Sequence, residues 1–270
     1  MTLKKHCGKE TRIVFSGRAL ITGGTSGMGY EFAKQLARRG LDIVLVARNE
    51  ERLRKTAAEL AEQYGVECTF LSADLASDAG VAAVKERLVC AENPITVFVN
   101  NAGGGLYAKI ASKDFTEIKN ALQVMGTAPM ELGGAAAAVM KERNAGVIIS
   151  TASVASLVPM GAYAAIKALL RYWSESLANE LHGTNVHVVT FLPGWVHTEF
   201  HARTGVSNAS IPKWVWMNAA DVVGETLAAA EAGKEVIIPS RKFKVIAFFA
   251  KHMPRSVVCA AVRKLNRGRR

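Results

Sequence analysis

A doubly wound α/β fold, a parallel sheet with helices on both faces, is what this sequence predicts. Three observations carry the prediction. A short apolar strand, Arg18–Thr22, runs into a glycine-rich turn and then into a helix from Tyr30 to Arg39 that stops at Gly40. Further apolar strands recur along the chain, and each ends in a short motif built from polar residues or glycine. A length of 270 residues, 50% of them apolar, suits one large domain of this class with a sizeable core.

The first turn, Thr22-Gly23-Gly24-Thr25-Ser26-Gly27-Met28-Gly29, joins strand to helix, the context in which backbone N–H groups receive a phosphate. Its spacing is Gly-x-x-x-Gly-x-Gly, through Gly23, Gly27 and Gly29, and not Gly-x-Gly-x-x-Gly. The second strand, Leu41–Ala47, is followed by Arg48. An acid at that point would hold a ribose 2′-hydroxyl, whereas an arginine suits a 2′-phosphate or is simply a surface cation opening the next helix. Asp42 begins the strand, at the wrong end to be the missing acid. Asp74-Leu75 closes the third strand, and Asn100-Asn101-Ala102-Gly103 closes the fourth, Ile95–Val99. Ser150-Thr151-Ala152-Ser153 ends the fifth, Gly146–Ile149, and Pro193-Gly194 ends the sixth, Val186–Leu192.

Tyr163 and Lys167 lie four residues apart, so on a helix they share a face. A free phenol ionises near pH 10, and a neighbouring ammonium favours the phenolate, which brings Tyr163 within reach of acid–base work near neutrality.

In this order the motifs resemble the short-chain dehydrogenase/reductase family over about residues 16–240, within it the bacterial ketone and 3-oxoacyl-type reductases that carry a basic C-terminal extension. The resemblance implies a Rossmann-type sheet of about seven strands and hydride transfer between a nicotinamide and a carbonyl or secondary alcohol. It assigns the catalytic roles to Ser153, Tyr163 and Lys167. The interval from Ser153 to Tyr163 is shorter than the family's usual one, and Ser150 has the commoner spacing, so Ser150 stays open as the serine. The cofactor would be held by Gly23, Thr25, Ser26, Gly27, Met28 and Gly29 at the turn, by Asp74 and Leu75 at the adenine, and by Asn101, Ala102 and Gly103 along the ribose. Tyr163 and Lys167, with Pro193, Gly194, Val196 and Thr198, would complete the nicotinamide end, and Arg48 favours NADP(H) over NAD(H). Asp74 has a plainer alternative as a turn-former. Where the family carries an asparagine that supports a proton-conducting water chain, this chain has Met125, and a thioether cannot replace an amide's hydrogen bonds. The alternative to a reductase is therefore an impaired NADP(H)-binding sensor or scaffold. Gln123 could substitute only in a different local register.

The segment 195–218 falls at the family's substrate lid and holds Trp195, Phe200, Trp214, Trp216 and Met217, which points to a small apolar carbonyl or alcohol as substrate. His197 and His201 are also four apart but lack a third ligand, so no metal is expected. Residues 1–240 are read as one catalytic domain and 241–270 as a basic amphipathic extension.

Of the net charge of +11, the segment 241–270 supplies +10, through ten Lys or Arg and no acid. Its alternating apolar and basic stretches suit either an anionic membrane surface or a helix packed on the body with a solvated basic edge. Nucleic acid is not expected as a partner, since charge without base-stacking aromatics is nonspecific. Cys7, Cys68, Cys90 and Cys259 have no metal-like spacing and read as reduced thiols, which with a charged N-terminal segment predicts a cytoplasmic protein, peripheral on the inner membrane face if the tail docks there. The uncharged run 144–166 contains the Tyr163 motif and is read as a buried strand and loop, not a span. Oligomeric state is not read from the sequence: members of the family it resembles are commonly dimers or tetramers, 112–143 could supply a homo-oligomer interface, and the basic extension could equally obstruct one.

Overall fold

The computed structural model describes residues 13–198 and 213–267. Its main sheet is built from β1 (Arg18–Thr22), β2 (Asp42–Ala47), β3 (Cys68–Ser72), β4 (Ile95–Asn100), β5 (Gly146–Thr151), β6 (Val186–Phe191) and β9 (Val236–Ile237). These pair in the order β3-β2-β1-β4-β5-β6-β9, all parallel. A second, two-stranded sheet joins β7 (Val196–His197) to β8 (Met217–Asn218). The predicted doubly wound sheet of about seven strands is therefore the observed one.

Parallel strands covered on both faces need apolar side chains on both, which is why Arg-Ala-Leu-Ile-Thr in β1 is buried throughout. Its residues divide by alternation. Ala19 and Ile21 face a cluster with Phe32, Leu36 and Leu53, supplied by α1 (Gly27–Ala37) and α2 (Glu50–Tyr64), and α7 (Ala219–Glu231) adds Val223 and Leu227 there. Leu20 faces the opposite cluster with Val84, Leu132 and Met140, from α3 (Asp78–Val89) and α5 (Ala128–Arg143). Each fully buried leucine or phenylalanine contributes about 1.5–3 kcal/mol relative to exposure. Phe32 and Phe191 meet edge to face, centroids 5.7 Å apart, and tie α1 to the far side of the switch point.

Local signals set the helix ends. Asn49 accepts from the Arg52 N–H at 2.8 Å and Gly65 closes α2 in the left-handed region, while Glu50 and Glu51 complement the first-turn dipole. Strand order reverses between β1 and β4, so their carboxyl ends diverge and leave a crevice. Asp42, at the other end of the sheet, pairs with Arg18 at 3.2 Å and takes no part in that crevice.

Element ends differ from the sequence reading by one to three residues, and two local features bear on the site. β5 continues through Ser150 and Thr151, because Ser150 pairs with β4 and β6 on either side and Thr151 with β6. The stretch after β4 is a helix interrupted once: α4 (Thr116–Leu122), a π turn at Gln123–Thr127, then α5. α6 (Gly161–Glu180) carries the Tyr163 motif. Beyond residue 240 the chain forms α8 (Arg241–His252) and α9 (Arg255–Arg267), with Pro254 between them.

Candidate active site

The glycine turn is tight because the helix starts directly on top of it. Gly23 and Gly27 have φ of +67° and +53°, which suits glycine. A Cβ on Gly29 would lie 2.1 Å from the Gly23 carbonyl oxygen, so no side chain fits there. α1 has no side-chain cap at Ser26 and no acid in its first turn. Its N-terminal N–H groups therefore face the crevice as an anion site. Gly27 also faces Thr198, whose side chain would stand 3.1 Å from an added Cβ, so the turn and the end of β7 are brought together.

Thr22 fastens the turn to the motif after β4. Its hydroxyl accepts from the Asn101 and Ala102 N–H groups at 2.9 and 3.0 Å, and the Asn101 amide donates to the Thr22 carbonyl at 3.1 Å. Sequence reasoning passed over Thr22, whose signal was only its position at the strand end. Arg48 follows β2, exposed, and its guanidinium makes no hydrogen bond or ion pair among the described residues. Asp74 sits just past the end of β3, where its carboxylate accepts from the Ala76 N–H at 3.0 Å and shapes the turn into α3, with Leu75 buried behind it.

The catalytic candidates converge where β5 ends and α6 begins. Ser153 opens a short 3-10 turn, Val154–Leu157, and its hydroxyl hydrogen-bonds to the Tyr163 phenol. Ser150 is elsewhere. Alternation along β5 puts it on the face shared with Asn100 and Thr190, which are held by the Pro129 carbonyl and the Ser174 hydroxyl. There the Ser150 hydroxyl is wholly buried, without a hydrogen-bond partner among the described residues.

Lys167 is buried, and its ammonium donates to the Thr151 carbonyl at 2.7 Å. It lies 5.9 Å from the centroid of the Tyr163 ring. Burial is the larger influence on both groups: it pushes the phenol up to about 12 and the ammonium down to about 8. The Ser153 hydrogen bond pulls the phenol down, and the Tyr107 phenol pushes it up. The sequence reading expected the Lys167 charge to lower Tyr163; in this arrangement burial raises the phenol and the downward pull comes from Ser153.

Met125 sits in the π turn, buried, against the backbone of Gly103. A Cβ on Gly103 would be 3.2 Å from the Met125 sulfur and 3.9 Å from the Lys167 nitrogen, so thioether and ammonium flank the same backbone. Gln123 opens the same π turn, two residues before Met125.

The lid is anchored by two strands. Val196 and His197 pair with Met217 and Asn218, and the Met217 N–H donates to the Trp195 carbonyl at 2.9 Å. Trp216 lies against Trp195, centroids 5.7 Å apart, and stacks on His197 at 4.7 Å. Trp214 is largely exposed. Phe200 and His201 lie outside the described residues. Among the described residues no group of three His, Cys, Asp or Glu is placed to hold a metal ion. A cleft of about 280 Å³ lined by Trp216, Met217, Glu225, Ser240 and Lys242 adjoins the lid but excludes Ser153, Tyr163 and Lys167.

One wall was not legible in the sequence. The Phe243 ring, from α8, covers Gly194, where a Cβ would come within 2.2 Å of it, and Pro193 accepts a hydrogen bond from Ser153. The tail helix thus packs directly against the loop after β6.

Residues 18–208 match the family model for short chain dehydrogenase. The very-long-chain 3-oxoacyl-CoA reductase of Meyerozyma guilliermondii is 32% identical over 206 residues, 72% of this chain and 60% of that protein. The chain thus spans about three fifths of the length of the curated relatives it matches. A short-chain dehydrogenase from Sphingobium yanoikuyae in complex with NADPH superposes with a TM-score of 0.79 at 31% identity, covering 85% of this chain and 92% of that one. A bulky-bulky ketone specific alcohol dehydrogenase from Comamonas testosteroni gives 0.75 at 29%, with 84% and 88% covered.

Proposed function

The chain belongs to the short-chain dehydrogenase family, and from that premise we propose that it is an NADP(H)-dependent oxidoreductase interconverting a carbonyl and a secondary alcohol on an apolar substrate. The observation that carries the reading is the joined Ser153–Tyr163 pair beside buried Lys167, at the sheet end that also presents the glycine turn. The residues present fit a dinucleotide: a cradle too tight for side chains at Gly29, an uncapped helix N-terminus, and the exposed cation of Arg48. The NADPH of the Sphingobium neighbour supports the cofactor class.

Bound nicotinamide supplies the hydride. Tyr163 gives its phenolic proton to the substrate oxygen as charge develops there, and recovers it in the oxidative direction. A phenol held near 12 is fully protonated at neutral pH and starts as the acid. Ser153 donates a second hydrogen bond to the same oxygen. Lys167, fixed by the Thr151 carbonyl, holds positive charge near the pair.

Trp195, Trp214, Trp216 and Met217, joined by Phe243, support an apolar substrate such as a bulky ketone or a 3-oxoacyl thioester, the classes named in the relatives. Cys68, Cys90 and Cys259 are free, in keeping with a place in the reducing cytoplasm. The test is a fluorescence titration with NADPH and NADH, followed by turnover on long-chain ketones, 3-oxoacyl thioesters and steroids. Tighter binding of NADPH, with turnover, is the expected result. Binding without any turnover would favour the sensor reading, and no binding would overturn both.

A further inference from the structure

α8 has two opposite faces. Phe243 and Ala247 are buried against the body, the first on Gly194. Val245, Phe248 and Phe249, on the other side of the helix, are each more than half exposed. Met253 and Val257 continue the exposed apolar strip into α9. Neither helix is long and apolar enough to cross a membrane.

The strip is bordered by cations. Lys242 and Lys244 are engaged internally, by the Trp214 carbonyl at 2.6 Å and by Glu225 at 2.8 Å. Arg241, Lys251, Arg255, Arg263 and Lys264 form no hydrogen bond or ion pair among the described residues. No acid occurs anywhere from 241 to 270.

We propose that this outer face of α8, with the start of α9, docks on an anionic lipid bilayer. Exposed phenylalanines between unpaired cations match a surface that is apolar a few ångströms in and negative at the headgroups. A second copy of the chain is the poorer occupant, since a symmetric contact would set identical acid-free tails against each other. The inner face of the same helix lies on Gly194, and Lys242 holds the Trp214 carbonyl of the lid, so docking brings the substrate side to the membrane. That last step rests on the reductase reading; the docking does not.

The test is flotation of the full chain with phosphatidylcholine vesicles, with and without about a third phosphatidylglycerol. The wild type floats with the anionic vesicles and is released by salt. Phe248→Ser/Phe249→Ser and Lys251→Glu/Arg255→Glu each weaken partitioning by about tenfold or more. NADPH binding and turnover of a water-soluble ketone, measured without vesicles, check the fold of each variant and read the reductase assignment separately. Absence of flotation, equal binding to both vesicle types, or unchanged binding by either variant overturns the proposal. So does a wild-type dimer that fails to float and that Phe248→Ser/Phe249→Ser dissociates.

Discussion

The Ser153 hydroxyl is joined to the Tyr163 phenol, and Ser150, next to last in β5, is shut behind the sheet. Three residues of chain separate a group that reaches the site from one that cannot. Tyr163→Phe and Ser153→Ala should each lower kcat by about 10²–10⁴-fold while leaving the NADPH dissociation constant unchanged. Ser150→Ala should keep turnover within about threefold of wild type, because only a buried, unpartnered hydroxyl is lost. Steady-state kinetics beside fluorescence titration separates the three variants.

Lys167 predicts a particular pH dependence of stability. In the folded chain it releases its proton at about 8, whereas unfolded it holds it to 10.5. Between those values the unfolded state binds more protons, so unfolding free energy rises with pH across that window. Tyr163 acts in the opposite sense: raised from 10.0 to about 12, it contributes stability below pH 10 that is lost on passing through 12. Lys167→Met should remove the rise between pH 8 and 10.5. Urea midpoints of both proteins at intervals from pH 7 to 10.5 give the difference curve; parallel curves would disprove the buried-ammonium account.

Arg48 is an exposed cation with no protein partner among the described residues, placed where β2 leads into α2. Arg48→Ala should weaken NADPH by about 10–100-fold, the size of a charge-assisted pair, and NADH by less than about threefold. Equal losses for both cofactors would mean the arginine does not read the 2′-phosphate.

Met125 shares the Gly103 backbone with Lys167. An amide there adds a donor and an acceptor beside the ammonium, so Met125→Asn should raise kcat several-fold with no change in NADPH affinity. It should also cost about 1–3 kcal/mol of stability if the amide finds no full set of partners. Stopped-flow single turnovers and thermal melts read the two effects; an unchanged kcat would show that no proton route passes this position.

The strands and their closing motifs were legible because parallel strands buried on both faces are written as unbroken apolar runs, and a turn lacking room for Cβ atoms must be written in glycine. Gly29 is the clearest instance. Which serine meets Tyr163 was not legible, since spacing along the chain says nothing of which way a side chain faces once β5 runs on to Thr151. Phe243 escaped for a different reason: its partner, Gly194, is remote in sequence, and no periodicity links a tail helix to a loop after β6. The tail posed a choice between packing and exposure, and α8 does both, one face each.

Thr22 gives the floor of the dinucleotide crevice a property of its own. One buried hydroxyl holds two backbone N–H groups from the neighbouring strand end, so turn and motif are tied into one platform by the protein's own bonds. An arriving nucleotide then meets a surface with no loop left to freeze on that side. Its association should resemble a coin dropping into a slot cut to size.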